Sequence, residues 1–291
     1  MRVALTGGRG RLGRYVAAEL ARRHEVRIVD RASPDAAEPA AYPPVDVRDL
    51  DALAAAFQGH EVVVHLAGID QSLASAPAAV FETNVRGTWN AFEAAEQAGV
   101  RRVVLCSSTS AVGLDHTNPH LPPVYLPVDE THPTRPSSTY GMSKRIGEEI
   151  AAAFARRRGG LEVLVLRPSY VAFPEMLAFM AGATGTQSER EAEPVPLLRS
   201  YVAPEDAARA FALAAECLYG GIETLFVTAA DTFTDEPTLD HLRKTYGTLP
   251  PIRRPELYER NPRASVLDNT RARRVLGWEP STSWQELRRK A

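Results

Sequence analysis

The sequence predicts a doubly wound α/β fold with a parallel central sheet. Three observations carry that expectation. Short apolar runs alternate with stretches of helical periodicity, the runs are nearly continuous rather than alternating, and the first of them breaks on glycines. Strands covered by helices on both faces read as unbroken apolar runs, and alternation of such strands with helices builds parallel sheets.

The elements follow in order. The run 3–6 is the first strand, and residues 12–23 then place apolar side chains at helical spacing. The run 26–29 is the second strand and leads into Asp30. Residues 31–44 carry Pro34, Pro39, Pro43 and Pro44 and read as loop. A helix is expected over 50–57 and a third strand over 62–66. The pattern 78–98 predicts one long helix closed by Gly99, followed by a fourth strand over 103–106. Residues 137–158 predict a helix closed by Gly159 and Gly160, and 163–166 a fifth strand. Beyond residue 168 the rhythm breaks. The expected organisation is therefore one domain over 1–168 and a smaller region over 169–291, from which a helix at 204–218 and a strand at 224–228 return to the first. Glu205 and Asp206 suit the first turn of that helix, where negative charge meets the positive end of the dipole.

Composition bounds the function. The chain has 291 residues, 44% hydrophobic and 24% charged, with a net charge of −2. That is ample material for a core, and it makes no electrostatic case for nucleic acid or an anionic membrane. Two cysteines, Cys106 and Cys217, form no disulfide or zinc pattern. Cys106 lies in an apolar run and reads as a buried free thiol, which fits a reducing cytoplasm. No apolar stretch reaches the length of a membrane span, and the opening run is too short for a signal peptide. His116 and His120 lie in a proline-rich stretch and make no convincing metal site, so no metal is expected.

The glycines carry the first chemical signal. Thr6-Gly7-Gly8-Arg9-Gly10-Arg11-Leu12-Gly13 follows a strand and opens a helix. One glycine permits a tight turn, one lets backbone approach a pyrophosphate, and the last allows close helix–strand packing. The helix N-terminus presents free N–H groups to phosphates. Gly7, Gly10, Arg11, Leu12 and Gly13 are thus expected to hold a dinucleotide. Asp30 at the end of the next strand would accept hydrogen bonds from a ribose diol and repel a 2′-phosphate, favouring NAD over NADP. Arg9, Arg11 and Arg31 could instead meet such a phosphate, and Arg31 is expected against the cofactor in either case. Asp46 and Val47 are expected near the adenine, with helix capping as the alternative for Asp46. Leu66, Ala67 and Gly68 leave the third strand where the cofactor would pass. His65 beside them reads as a packing residue. Asn84, inside the long helix, is expected to order a water or a backbone carbonyl near the site, or to bridge helices.

The second signal is Tyr140-Gly141-Met142-Ser143-Lys144. Tyrosine and lysine at i and i+4 share one helix face. Oxidising an alcohol requires a base for its proton, and a phenol with a pKa of about 10 needs roughly 4 kcal/mol of help to act near neutrality. A desolvated cation close by can supply it. Ser107, Ser108, Thr109 and Ser110 end the fourth strand, where ligands of open α/β sheets sit. Their hydroxyls can hold the reacting oxygen.

Together these segments resemble the extended short-chain dehydrogenases/reductases, also called NAD-dependent epimerases/dehydratases. The resemblance runs on through Asn84-Val85-Arg86-Gly87-Thr88, Leu166-Arg167-Pro168, Tyr201-Val202 with Glu205-Asp206, and Leu276-Gly277-Trp278. It implies a Rossmann-type domain with Tyr140 as base, Lys144 as its partner, Ser108 or Thr109 on the substrate oxygen, and Ser107 and Pro168 against the cofactor. It also implies a homodimer built on the helices 78–98 and 138–158. Dehydratases of the family follow the active Thr with an Asp-Glu pair. Here Ser110-Ala111 follows, so that chemistry is unsupported. Epimerases show Val-Tyr-Gly after the serines, whereas Val112-Gly113-Leu114 looks more like the uronate dehydrogenases.

The reading is an NAD-dependent oxidoreductase acting on a secondary hydroxyl or carbonyl of a sugar or sugar acid. Ser72, Ser108, Thr109, Ser110, Tyr140 and Arg199 are expected to meet the substrate. The stretch 113–136 is either a lid over the site or a surface excursion. The alternatives are a sugar-nucleotide epimerase that retains its NAD and, in another class, a non-catalytic dinucleotide sensor. Nucleic acid and membrane are not expected as partners.

Overall fold

A computed structural model describes residues 1–33, 43–70, 76–115, 121–157, 160–180 and 198–290. Strands β1 (Arg2–Thr6), β2 (Glu25–Val29), β3 (Val62–His65), β4 (Arg102–Cys106) and β5 (Glu162–Pro168) are all parallel. Two short strands, β6 (Tyr170–Val171) and β7 (Tyr201–Val202), pair with each other, and β8 (Ile222–Val227) joins β5. The six-stranded order is β2-β1-β3-β4-β5-β8. The chain steps from β1 outward to β2, then crosses back to β3 on the other side. That reversal opens a crevice at the strand ends.

The continuous apolar runs divide by period 2, as a doubly covered sheet requires. Val3, Leu5, Val62, Val64, Val104, Leu164 and Leu166 face one layer. Ala4, Val63, Val103, Leu105, Val163 and Val165 face the other. The first layer holds α1 (Arg11–Ala21) and, after α2 (Leu50–Phe57) to α6 (Pro174–Met180), helix α7 (Pro204–Glu216). Ala207, Ala208, Ala210, Ala214 and Ala215 are buried there, and small side chains let α7 lie close on the sheet. The second layer holds α2, α4 (Gly87–Gln97) and α5 (Thr139–Ala155). Arg102 is buried and fastens the end of α7, donating to the carbonyls of Ala214, Ala215 and Tyr219 while paired with Glu162. The returning helix and strand therefore sit with the main sheet, at 204–216 and 222–227.

Two expectations are corrected. The helix predicted over 78–98 is α3 (Pro77–Phe81), a π-helical turn (Glu82–Arg86) and α4. The wide turn carries Asn84 inward, where its side chain is buried and bonded to another segment. Such turns cluster at functional sites. In addition, residues 121–136 of the stretch 113–136 pack into the C-terminal region and form no lid. Leu126 bridges to Ile252 and Val128 to Leu267, and both side chains pack with Leu242, Tyr258, Ala264 and Val266. This stretch is the base of the C-terminal region, which also contains α8 (Thr238–Tyr246), α9 (Pro255–Arg260), α10 (Thr270–Leu276) and α11 (Trp284–Lys290). Asp206 pins that region down. It accepts from Ser281 and Thr282 backbone N–H groups at 2.9 and 3.0 Å, and its carbonyl accepts from Trp278 Nε1 at 2.9 Å. Among the described residues no helix is long and apolar enough to cross a membrane.

Candidate active site

A cavity of about 740 Å³ lies over the ends of β1, β3, β4 and β5. Its floor is the glycine turn. Gly7 has φ +70°, and a Cβ there would lie 2.7 Å from Ala67 N. At Gly13 a Cβ would lie 2.1 Å from the Gly7 carbonyl oxygen. The turn is therefore packed against β3's exit and upon itself, and only glycine fits either place. Helix α1 starts without a side-chain cap and without acidic residues in its first turn. Arg11, Leu12 and Gly13 line the cavity there, leaving first-turn N–H groups for an anion. This cradle fits a pyrophosphate.

At the far end stands Asp30. Its two oxygens accept from the N–H groups of Arg9 and Ala32, each at 3.0 Å, which fixes the carboxylate's orientation while leaving lone pairs for a diol. Arg31, Val47, Leu66, Ala67, Gly68, Ser107, Pro168 and Asp46 also line the cavity. Asp46, however, is held bidentately by Arg48, with Nη2 at 2.6 Å, and that guanidinium pulls its carboxyl down to about 2. An adenine amino group must compete with that pair.

Tyr140 and Lys144 occupy the near end on α5, whose first turn is capped by Ser138 accepting from Gly141 N at 3.0 Å. Tyr140 and Ser108 share this wall of the cavity, and Ser108 Oγ accepts from Ser110 N at 3.1 Å. Thr109 and Ser110 line the same wall. Lys144 Nζ donates to the Cys106 carbonyl at 2.9 Å and sits 5.7 Å from the Tyr140 ring centre. The phenol itself is held above its ordinary range. Burial pushes Tyr140 upward, the nearby Cys106, Asp70 and Asp115 add to the rise, and neighbouring Ser108 opposes it. Cys106 is itself a free thiol on the cavity wall, pushed up by burial.

Asn84 and Arg199 lie off the cavity wall, and Ser107, which is on it, turns its hydroxyl to the scaffold. Asn84 accepts from Ile69 N at 2.7 Å and donates to Ile69 O and Ser143 Oγ, so it holds the segment after β3 against α5. It is an interelement bridge and lies outside the cavity wall. Ser107 Oγ donates to Glu148 Oε1 at 2.6 Å. Arg199 does not line the cavity. Its backbone has φ +51°, and its guanidinium stacks 5.4 Å from the Phe233 ring centre. Ser72 and the pair His116 and His120 lie outside the described residues. The sequence did not single out Asp70, Asp115, Tyr170, Phe173 and Met176 by residue, and all five are on the cavity wall. Nor did it pair Glu148 with Arg167. The placement of Glu148 four residues past Lys144 on the same helix face was an available signal.

The chain matches the model of the NAD dependent epimerase/dehydratase family over residues 3–222. It is 37% identical to the L-arabinose 1-dehydrogenase (NAD(P)(+)) of Haloferax volcanii over 171 residues, covering 57% of this chain and 65% of that protein. It is 31% identical to the uronate dehydrogenase of Pseudomonas putida over 171 residues, covering 57% of this chain and 59% of that one. The matched stretches thus span less than two thirds of either relative. Its fold is similar to that of a UDP-glucose 4-epimerase from Thermotoga maritima with UDP-glucose, at 25% identity and a TM-score of 0.71, covering 99% of this chain and 96% of that one.

Proposed function

The chain belongs to the NAD dependent epimerase/dehydratase family, and from that premise we propose that it is an NAD-dependent sugar dehydrogenase of the extended short-chain type. The observation that carries the reading is Tyr140 beside Ser108 and one helical turn from Lys144, all facing the same cavity as the glycine turn. Gly7, Gly10 and the first turn of α1 would hold the pyrophosphate of NAD, and Asp30 the adenosine ribose. When bound, NAD supplies the carbon that accepts a hydride from the substrate. Ser108 Oγ and Thr109 Oγ1 hold the reacting oxygen. Tyr140 Oη, as the phenolate, takes the hydroxyl proton, and because burial raises the phenol's pKa, forming that phenolate is the demanding step for the protein. Lys144 Nζ is placed to bind ribose hydroxyls and to bring positive charge to the phenol's side of the site.

Dehydrogenation is favoured over epimerisation by Val112-Gly113-Leu114, where epimerases carry Val-Tyr-Gly, and by the short segment between β6 and β7. A dehydrogenase must release NADH each turnover, whereas an epimerase keeps its dinucleotide. The test is the purified protein with excess NAD and a panel of aldoses and uronates. Accumulation of free NADH at 340 nm supports the proposal. Tightly retained dinucleotide with no net NADH, together with epimer formation from a sugar nucleotide, sinks it.

The proposal includes a homodimer and a cytoplasmic location. Phe81, Trp89 and Met142 are exposed large apolar residues on α3, α4 and α5, as an interface through these helices would need. Trp89→Asp should shift the sedimentation coefficient to that of a monomer. Two free cysteines suit a reducing compartment.

A further inference from the structure

Resting on the dehydrogenase reading, we propose that His65 is a positioning residue whose two ring nitrogens act separately: Nδ1 on the floor of the dinucleotide site, and Nε2 on the helical turn that carries Tyr140. His65 ends β3, is 1% exposed and lies behind the cavity wall rather than on it. It therefore acts through its neighbours, and Thr6, Thr88 and Asn84 are buried with it.

The hydroxyls around the ring fix its tautomer. Thr88 Oγ1 lies 2.5 Å from the Asn84 carbonyl oxygen, which can only accept, so the Thr88 hydrogen is spent there. Toward His65 Nε2, at 3.3 Å, Thr88 Oγ1 must then accept, and Nε2 carries the proton. Burial and the Lys144 charge keep the ring neutral. A neutral imidazole protonated at Nε2 has a bare Nδ1. Thr6 Oγ1, 2.7 Å away, donates to it and accepts in turn from Ala67 N at 3.3 Å. Every hydrogen in the chain from Ala67 to Asn84 thus has one assigned place.

Each side of the chain ends at a part of the site. Gly7 packs on Ala67 N, so Thr6 holds the backbone on which the glycine turn rests. On the other side Asn84 grips Ile69 through its N–H and its carbonyl and donates to Ser143 Oγ at 3.0 Å. Ser143 Oγ donates to the Tyr140 carbonyl at 2.7 Å. Gly68 lies between, where a Cβ would be 3.1 Å from Asn84 Oδ1 and 3.5 Å from Lys144 Nζ. Two substitutions separate the sides. Asparagine can place its amide oxygen at the position of Nδ1 and is too short to reach Thr88. Glutamine can place its amide nitrogen at the position of Nε2 and keeps the donor to Thr88.

The tautomer is read from the imidazole nitrogen NMR shifts of histidine-labelled protein at neutral pH. The His65 signals are identified by their loss in His65→Gln or by their response to Thr6→Ser, which keeps the hydroxyl. A bare Nδ1 with a protonated Nε2 is expected, and the opposite tautomer or an imidazolium overturns the inference. NAD affinity is then measured without sugar by fluorescence quenching, and kcat and KM with the fastest sugar of the aldose and uronate panel. His65→Asn should bind NAD within about twofold of wild type and lose about tenfold in kcat, the worth of one buried hydrogen bond at a positioned group. His65→Gln should show the reverse, with kcat held and NAD bound about tenfold more weakly. Equal losses in both quantities for both variants, or no loss in either, overturn the inference. Where a His65 variant does not fold, Thr88→Val cuts the Nε2 side and Thr6→Val the Nδ1 side, with the same split expected. A wild type that forms no NADH with any sugar removes the dehydrogenase reading, and the tautomer and the NAD affinities still decide the role of His65.

Discussion

Glu148 accepts two hydrogen bonds from Arg167, from Nε and from Nη2, each at 2.7 Å, with both side chains 4% exposed. Ser107 Oγ adds a third at 2.6 Å. The cluster ties α5, which carries Tyr140 and Lys144, to the ends of β4 and β5. Glu148 lies one turn beyond Lys144, so its position sets the register of the catalytic face. Removing one partner of a buried pair strands the other charge and costs about 3–5 kcal/mol, whereas replacing both with apolar residues is often neutral. Glu148→Gln should therefore lower stability by several kcal/mol in urea unfolding. The double variant Glu148→Leu/Arg167→Met should recover much of that loss. A double variant as unstable as the sum of its single changes would contradict this account.

Tyr140→Phe keeps the ring and removes the acidic group. It should cut kcat/KM by about 10²–10⁴, the usual contribution of a positioned acid–base group, while leaving NAD binding intact. The pH profile supplies a sharper signature. Burial raises the Tyr140 pKa, so the base form is a minor species at neutrality that grows tenfold per pH unit. Sugar oxidation should climb with pH well beyond neutrality in the wild type. Residual activity of Tyr140→Phe should lack that climb. An equally steep climb in the variant would remove Tyr140 as the base.

The main sheet was legible because both of its faces are buried, which makes β3, for example, an unbroken run of Val62-Val63-Val64. The glycine turn and the Tyr140/Lys144 face were legible because their chemistry demands fixed spacings. The π-helical turn was not, since it exists for a tertiary contact: Asn84 reaches the backbone of Ile69, and nothing within 78–98 announces that partner. Arg199 failed for a related reason. Its charge suggested an anion site, yet its side chain's direction is set by the positive φ and by Phe233, which lies 34 positions along the chain. The role of the stretch 121–136 was hidden because isolated bridges, such as Leu126 to Ile252, give no periodic signal.

Asp30 offers a test of cofactor choice. Its carboxylate is held in place by the N–H groups of Arg9 and Ala32, with Arg31 beside it on the cavity wall. Asp30→Ser removes the charge that would oppose a 2′-phosphate and leaves Arg31 to meet one. The ratio of kcat/KM for NAD over that for NADP should fall by roughly tenfold or more. Titration of both dinucleotides by fluorescence quenching gives an independent reading. A ratio that stays put would show that Asp30 does not face the ribose.

His65 predicts how stability depends on pH. It is buried at the end of β3, with Nδ1 2.7 Å from Thr6 Oγ1 and Nε2 3.3 Å from Thr88 Oγ1. Burial, aided by the Lys144 charge, holds its pKa down to about 3, so the folded protein keeps it neutral. The unfolded chain protonates the same imidazole below its ordinary value of about 6.5. The contribution of His65 is therefore complete above that pH and is lost as pH falls toward 3, by up to about 1.4 kcal/mol per unit. Half-buried His60 and buried His132 shift the same way, and Glu130, raised by burial, acts in the opposite sense. The wild-type curve alone cannot isolate one residue, but the difference from His65→Gln can. Unfolding free energies at pH 7, 6 and 5 should converge between wild type and variant as pH drops. Parallel curves would mean that His65 is protonated in the folded state or is not felt by it.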